Sequence, residues 1–293
     1  MIAVGGNALI ARGEVLSAEN QRRNVAAAAP GLAHIIAQHD VVVVHGNGPQ
    51  IGLLVLEAAA YKAVAAYPLD ILGAESQGLI GYLIAQALAN ENPTKHIAAL
   101  ITQTLVDPHD HAFQNPTKPI GPIYRAADSH TWAAANGWVM RPDGDGVRRV
   151  VASPEPLEII ETGAINCWLS QGIVPICAGG GGIPVQRNNH GLITGIEAVI
   201  DKDLAAALLA HELHADLLVI LMDADAIYRD WGTPTQQALH QATPAALRAM
   251  QFAPGSMAPK IEALCRFVEG GGPAACVGAL SHAGAVLAGT AGG

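Results

Sequence analysis

Charge is scarce in this chain. Of 293 residues, only 14% are Asp, Glu, Lys or Arg. That is low for a small domain with much surface, so the composition predicts a compact body with a buried dimer interface. Basic residues are scarcer still. Lys and Arg total 16, no basic run exceeds a pair such as Arg148-Arg149, and the net charge is −9 with histidine neutral. A nucleic-acid binder needs a basic face, so no nucleic-acid partner is expected. Long apolar runs are missing too. No stretch reaches the roughly 18 uninterrupted apolar residues of a membrane span, so no membrane partner is expected. The opening MIAVGGNALI lacks the charged and hydrophobic regions of a secretory signal, and the expected location is cytoplasmic. The four cysteines, Cys167, Cys177, Cys265 and Cys276, form no CxxC pair. They are predicted to be small buried hydrophobes, not a disulfide framework.

Several catalytic templates are also absent. No GxxxxGK[ST] occurs, which excludes a P-loop. A GxGxxG pattern begins at Gly46 and Gly48 but meets Ile51 where glycine is required. No GxSxG occurs, so acyl-enzyme chemistry is not expected. Asp107-Pro-His-Asp-His111 fits no standard zinc spacing, and His211-Glu-Leu-His214 is one residue short of HExxH. No protein metal ligand is therefore expected.

What the chain has is aliphatic bulk, 51% apolar, arranged in short runs. Ile2–Val4, Val41–Val44, Ala98–Leu105, Val174–Ala178, Leu217–Met222 and Ala274–Leu280 read as buried parallel strands. Helix-like segments, Ala18–Gln38, Gln50–Ala65, Ser76–Ala89, Leu204–Leu213 and Pro259–Glu269, lie among them. Strand, glycine turn, helix, strand is the βαβ pattern, so the fold class is α/β: an open, mostly parallel sheet with helices on both faces. From Asp107 to Pro156 the pattern breaks into a stretch rich in Pro, Asp, His, Trp and Gly, predicted to be a small inserted subdomain or lid. The Ala/Gly tail after Leu287 is expected to fray.

Three glycine-rich turns follow predicted strands: Gly5-Gly6-Asn7, His45-Gly-Asn-Gly-Pro-Gln50 and Gly179-Gly-Gly-Gly-Ile-Pro184. Such turns bring backbone N–H groups close to a ligand, and a helix beginning just after one favours an anion. With so few cations, individual lysines carry weight. Lys118 lies between prolines, Lys202 precedes an alanine-rich helix inside Ile-Asp-Lys-Asp, and Lys260 opens another helix after Pro-Gly-Ser-Met-Ala-Pro. A lysine at a helix start opposes the macrodipole, an imbalance that bound phosphate would reverse. Lysines plus amide cradles are what phosphoryl transfer between two anions needs.

These motifs, taken in order, resemble the carbamate kinases of the amino-acid kinase family. The matching segments are Val4-Gly-Gly-Asn-Ala-Leu9, His45-Gly-Asn-Gly-Pro-Gln50, Glu75-Ser-Gln-Gly-Leu-Ile-Gly-Tyr82, Asn115-Pro-Thr-Lys-Pro-Ile-Gly-Pro122, Gly179-Gly-Gly-Gly-Ile-Pro184, Glu197-Ala-Val-Ile-Asp-Lys-Asp203 and Ala253-Pro-Gly-Ser-Met-Ala-Pro-Lys260. They span nearly the whole chain. Trp231-Gly-Thr-Pro is similar to the branch associated with purine and allantoin breakdown. The resemblance implies a homodimer on a sheet of about eight strands (the acetylglutamate kinase-like fold). It implies an N-terminal half, 1–195, for carbamate or carbamoyl phosphate, a lid near 110–155, and a C-terminal nucleotide half, 196–293. The implied reaction makes ATP from ADP and carbamoyl phosphate, with Mg2+ carried by the nucleotide. Lys118 and Lys202 would flank the transferring phosphoryl group and Asp203 would orient lysine. Gly5, Gly6, Asn7, Asn47, Gly48, Gly179, Gly180 and Gly181 would line the acid and phosphate end. Lys202, Asp223, Tyr228 and Lys260 would meet the nucleotide. Met222 stands where many relatives carry threonine, which would alter the nucleotide pocket. Two alternatives remain open on sequence alone: a kinase for another small acid, and a catalytically silent paralogue.

Overall fold

The computed structural model describes residues 1–6, 9–10, 13–61, 65–252 and 257–293. The buried strand β1 (Ile2–Val4) ends at Gly5. Ser17 then caps α1 (Ala18–Gln38), its hydroxyl accepting the Asn20 amide at 3.1 Å. Val25, Ala29, Leu32, Ala33 and Ile36 recur at helical steps and bury one face of it. β2 (Val43–His45) leads into α2 (Gly48–Ala60), whose Pro49 sits in the first turn, where no amide bond is lost. α3 (Leu69–Glu91) buries Leu72, Ser76, Ile80, Leu83 and Ile84. β3 (His96–Ala99) and β4 (Gln103–Leu105) follow.

The Pro- and Gly-rich stretch is folded, as β5 (Lys118–Tyr124), α4 (Ser129–Asn136), β6 (Val139–Asp143) and β7 (Gly146–Val151). Then come β8 (Glu158–Ile159), α5 (Thr162–Ser170), β9 (Ile173–Ile176), β10 (Ile183–Arg187) and β11 (Ile193–Gly195). The last part holds α6 (Lys202–Glu212), β12 (Leu217–Met222), a hairpin of β13 (Ile227–Arg229) and β14 (Gln237–Leu239), α7 (Pro244–Arg248), α8 (Met257–Glu269), β15 (Ala274–Ala279) and α9 (Ala283–Leu287).

The central sheet is parallel, in the order β15-β12-β1-β2-β9-β3. Its strands alternate sides, as a two-residue period requires. Ile2, Val4, Val43 and Leu221 pack with α1 and α3, whereas Ala3, Val44, Ile220 and Met222 pack with α6 and α8. The chain leaves β1 towards β2 on one side and later fills β12 and β15 on the other. That reversal opens a crevice beyond the carboxyl ends of β1 and β12, the place where open α/β sheets hold ligands.

The expected sheet of about eight strands divides. Six strands form the parallel sheet, and β11-β10-β4-β8 form a second, mixed one. The break explains why Ala98–Leu105 is two strands. Thr102 between them exchanges hydrogen bonds with Gln77, its amide donating to Oε1 at 2.8 Å and its carbonyl accepting from Nε2 at 3.0 Å. A third, antiparallel sheet, β5-β7-β6, stands apart from both. Two other expectations fail. The tail after Leu287 does not fray: Gly293 exchanges backbone bonds with Val277 at 2.8 and 3.0 Å, satisfying the otherwise open edge of β15. Cys167 is exposed on α5 and Cys276 is only half-buried, while Cys177 and Cys265 are buried as predicted.

Candidate active site

Asp201, Lys202 and Asp203 begin α6 at the crevice. Asp201 caps the helix, accepting the amides of Asp203 at 2.9 Å and Leu204 at 3.4 Å. Asp203 is buried and accepts from two ammonium groups, Lys202 Nζ at 2.7 Å and Lys260 Nζ at 2.9 Å. Lys260 arrives from the first turn of α8. Burial alone would raise the Asp203 pKa, but the two lysines hold it well below the usual carboxylate range. Burial pushes the Lys202 ammonium down from its ordinary value, Asp203 pushes it back up, and Lys260 adds to the fall. Two cations on one carboxylate leave one positive charge uncompensated there. The third lysine, Lys118 on β5, reaches the capping Asp201 at 2.5 Å.

The glycine turns gather around these lysines. The Gly5 amide donates to Leu221 at 2.9 Å and that of Gly46 to Val4 at 3.1 Å, so the turns after β1, β2 and β12 are neighbours. A Cβ on Gly46 would stand 3.0 Å from the Gly6 nitrogen and 3.4 Å from the Lys202 side chain. The turn at 179–182 is packed more tightly. Gly180, Gly181 and Gly182 have φ of +64°, +94° and +90°, a region only glycine enters freely. Side chains there would collide with Asn47, Ile200 and Thr104 in turn, and one on Gly179 would strike His45. Steric fit therefore demands these glycines without help from a ligand. Asn47 donates to Ser76 at 2.9 Å, and Ser76 to the Gly73 carbonyl at 2.7 Å. His45 is wholly buried against Gly46, and burial lowers its pKa to about 4, so it is neutral near pH 7.

A cavity of about 950 Å³ lies beside the lysine pair. It brings together Gly5, Gly6, Lys202, Asp223, Tyr228 and Lys260 among the residues singled out by sequence. Lys118, Asn47, Gly48 and Gly179–Gly181 do not line it; Lys118 is paired with Asp201, and Asn47 packs against Gly180. Asn7 and residues 253–256 lie outside the described residues. Met222 lines the cavity, as do Phe252, Met250 and Trp231, which the glycine and lysine pattern did not single out as contacts. The Trp231 ring lies 5.0 Å from that of Tyr228, whose hydroxyl donates to Asp225 at 2.8 Å. A second cavity, of about 700 Å³, opens at the amino ends of the strands around Met1, His39 and Asp216. No lysine or arginine is among its lining residues; the Met1 amino group, His34, His39 and His214 are. Among the described residues no three His, Cys, Asp or Glu side chains gather into a metal-binding group. Asp201 and Asp203 are both paired with ammonium groups. No helix among them is long and apolar enough to cross a membrane.

A strand-ended crevice with glycine amides and clustered ammonium groups defines a phosphoryl-transfer protein. The amino acid kinase family matches residues 2–278. Carbamate kinase of Escherichia coli is 50% identical over 292 residues, covering 100% of this chain and 97% of its own. That of Rhizobium meliloti is 50% identical over 284 residues, covering 96% and 88%. Among solved structures, carbamate kinase from Giardia lamblia bound to AMP-PNP is 40% identical, with a TM-score of 0.90 over 99% of this chain and 96% of that one. The chain belongs to the amino acid kinase family. It stands among the carbamate kinases of that family, and with them it is a phosphotransferase.

Proposed function

We propose that this enzyme transfers a phosphoryl group reversibly between ATP/ADP and carbamate/carbamoyl phosphate, running towards ATP in nitrogen catabolism. The observation that carries the reading is Asp203 holding Lys202 and Lys260 at 2.7 and 2.9 Å beside the cavity. ADP fills the cavity between Met222, Tyr228 and Phe252, its phosphates against the Gly5–Gly6 amides and Lys260. Carbamoyl phosphate sits on the side of Asn47, Gly48 and Gly179–Gly181, with Lys118 and Lys202 flanking its phosphoryl group. A terminal oxygen of ADP attacks phosphorus in line, and the bond from phosphorus to the carbamate oxygen breaks. Carbamate leaves and decomposes to ammonia and CO2. No side chain need exchange a proton in the step, and fixed positive charge stabilises the oxygens in transit. Mg2+ carried by the nucleotide would supply further charge neutralisation there, with no side chain of this chain assigned to it.

In this reading residues 1–195 serve the acid and 196–293 the nucleotide, with Gly5 and Gly6 lent to the nucleotide side. The β5–β7 sheet and its flanks, 110–155, act as the lid. A homodimer is supported by α3, whose outer face leaves Ile71, Leu79 and Tyr82 exposed. A cytoplasmic location fits the substrates and the absence of a membrane-spanning helix among the described residues.

The test is coupled ATP formation by purified protein with ADP, Mg2+ and carbamoyl phosphate, using Lys202→Ala as control. ATP well above spontaneous carbamoyl phosphate breakdown is expected, with a loss of about 10³-fold in the variant. Folded protein that binds ADP yet makes no ATP above that background would point to another acid.

A further inference from the structure

The residues leading into α6 alternate in a way that the lysine cluster alone does not require. Glu197, Val199 and Asp201 each meet the β5–β7 sheet. The Glu197 carboxylate lies 3.5 Å from the Arg149 guanidinium. Val199 packs in one cluster with Ile120 and Val151, and its amide donates to the Ala152 carbonyl at 2.9 Å. Asp201 takes Lys118 at 2.5 Å. The intervening Ala198 and Ile200 are buried, Ile200 among Val106 and Ala205. The register of the sheet accounts for the match. Lys118 stands opposite Val151, and Ile120 opposite Arg149. Cross-strand partners share a face, so both cations and both apolar side chains point the same way. Acid, apolar, acid along one segment meets two cations and two apolar side chains on one face of the sheet, a cation at each diagonal corner.

Arg149 is gripped from its far side too. Its guanidinium lies over the Trp138 ring at 4.7 Å, and Trp138 stacks on Trp132. The Arg149 side chain is 13% exposed, against 56% for Glu197. Burial pushes the guanidinium down from its ordinary value and the Glu197 carboxylate pushes it back up. The second Glu197 oxygen accepts the Leu69 amide at 2.8 Å. That amide opens α3 and would otherwise lack a helical partner. The same helix carries Ser76, which holds Asn47. One carboxylate therefore ties the sheet bearing Lys118 to the helix that seats the Asn47 turn.

We propose that Glu197 is a positioning residue for phosphoryl transfer: through Arg149 it docks the β5–β7 sheet and so sets where Lys118 stands. The proposal rests on the reading above, in which Lys118 serves the transferring phosphoryl group. In each turnover Lys118 must leave Asp201 for the substrate's oxygens. The Arg149–Glu197 pair does not take part in that exchange, so it keeps the sheet seated while Lys118 is in transit.

Three variants separate positioning from plain structure. Glu197→Gln keeps an oxygen for the Leu69 amide but gives Arg149 no charge. Arg149→Met keeps apolar bulk against Trp138 without the charge. The double variant tests coupling. For each, kcat, the KM for ADP, the thermal midpoint and hydrogen exchange across residues 118–151 are measured on the full chain. Glu197→Gln and Arg149→Met should each lower kcat about tenfold, since small displacements of a catalytic group are costly. The KM for ADP should stay within about twofold, as the nucleotide contacts are elsewhere. The double variant should be no worse than either single one, and exchange in β5–β7 should quicken in all three. An unchanged kcat, or losses that multiply in the double variant, would overturn the proposal. So would a kcat loss matched by a falling thermal midpoint and a rising KM for ADP. If the wild-type protein makes no ATP from carbamoyl phosphate, the functional reading fails, while unchanged exchange in Glu197→Gln would sink the docking claim by itself.

Discussion

Asp203 illustrates how much rests on one side chain. Its carboxylate is the common partner of Lys202 and Lys260. Asp203→Asn retains an acceptor but leaves two partly buried ammonium groups facing each other, and removing one partner of a buried ion pair is strongly destabilising. Activity should fall by about 10²-fold or more and the thermal midpoint should drop, by assay and calorimetry. An Asp203→Asn enzyme with wild-type kcat would refute the arrangement. His45 supplies a pH signature. Its folded pKa, about 4, lies below the ordinary 6.5. Between those values the unfolded chain binds a proton that the folded one refuses, so stability falls as pH drops from 6.5 to 4. The loss is about 3 kcal/mol by the usual conversion. Midpoints measured across that window should decline in the wild type and run flatter in His45→Gln; equal slopes would exclude His45 as the cause. At this scale the sequence was readable where a residue type was rare or its setting odd, as with the lysines. Asp201 as the partner of Lys118, and Glu197 as that of Arg149, join positions 83 and 48 residues apart. Pairing at that range depends on strand register, which single positions do not reveal.

The elements were legible in proportion to their regularity. β1, α1 and β12 lie where their apolar runs and periodicity put them, because burial on both sides of a parallel sheet leaves an unbroken aliphatic signature. The break inside Ala98–Leu105 was hidden, since Thr102 is satisfied by Gln77 on a helix and not by a strand neighbour. The four-glycine turn was read as a ligand cradle, but its packing against His45, Asn47, Ile200 and Thr104 already requires glycine. The contact between α2 and β5 makes a prediction at this level. Gly52 abuts Gly121, so a Cβ at 52 would run into the backbone of 121. Gly52→Ala should push the β5–β7 sheet away from α2, at a cost of about 1–3 kcal/mol. A lower thermal midpoint with faster exchange in β5 is expected; an unchanged midpoint would mean that α2 yields without strain.

For the whole molecule, the low charge content suggests a buried interface, and the exposed apolar face of α3 is the surface we propose for it. Ile71, Leu79 and Tyr82 share the exposed face of α3, Leu79 and Tyr82 one turn apart and Ile71 about two turns earlier. Sedimentation should give a dimer, and Leu79→Glu combined with Tyr82→Glu should give a monomer; a monomeric wild type would remove the surface from consideration. Division of the strands between two sheets could not be foreseen from apolar runs, because both sheets draw on the same residue types.

The pairing of the lysines also bears on how substrates arrive. Lys118 rests on Asp201, while Lys202 and Lys260 share Asp203. The chain as a whole carries −9. Among the described residues, an anion approaching the cavity therefore meets only the one uncompensated charge of the Lys202–Lys260 pair, and the net charge of the chain opposes its approach. Capture becomes a local exchange, in which a phosphate takes an ammonium group from a carboxylate. Added salt screens the repulsive field, so moderate ionic strength should hasten encounter here, the reverse of enzymes that steer anions from afar.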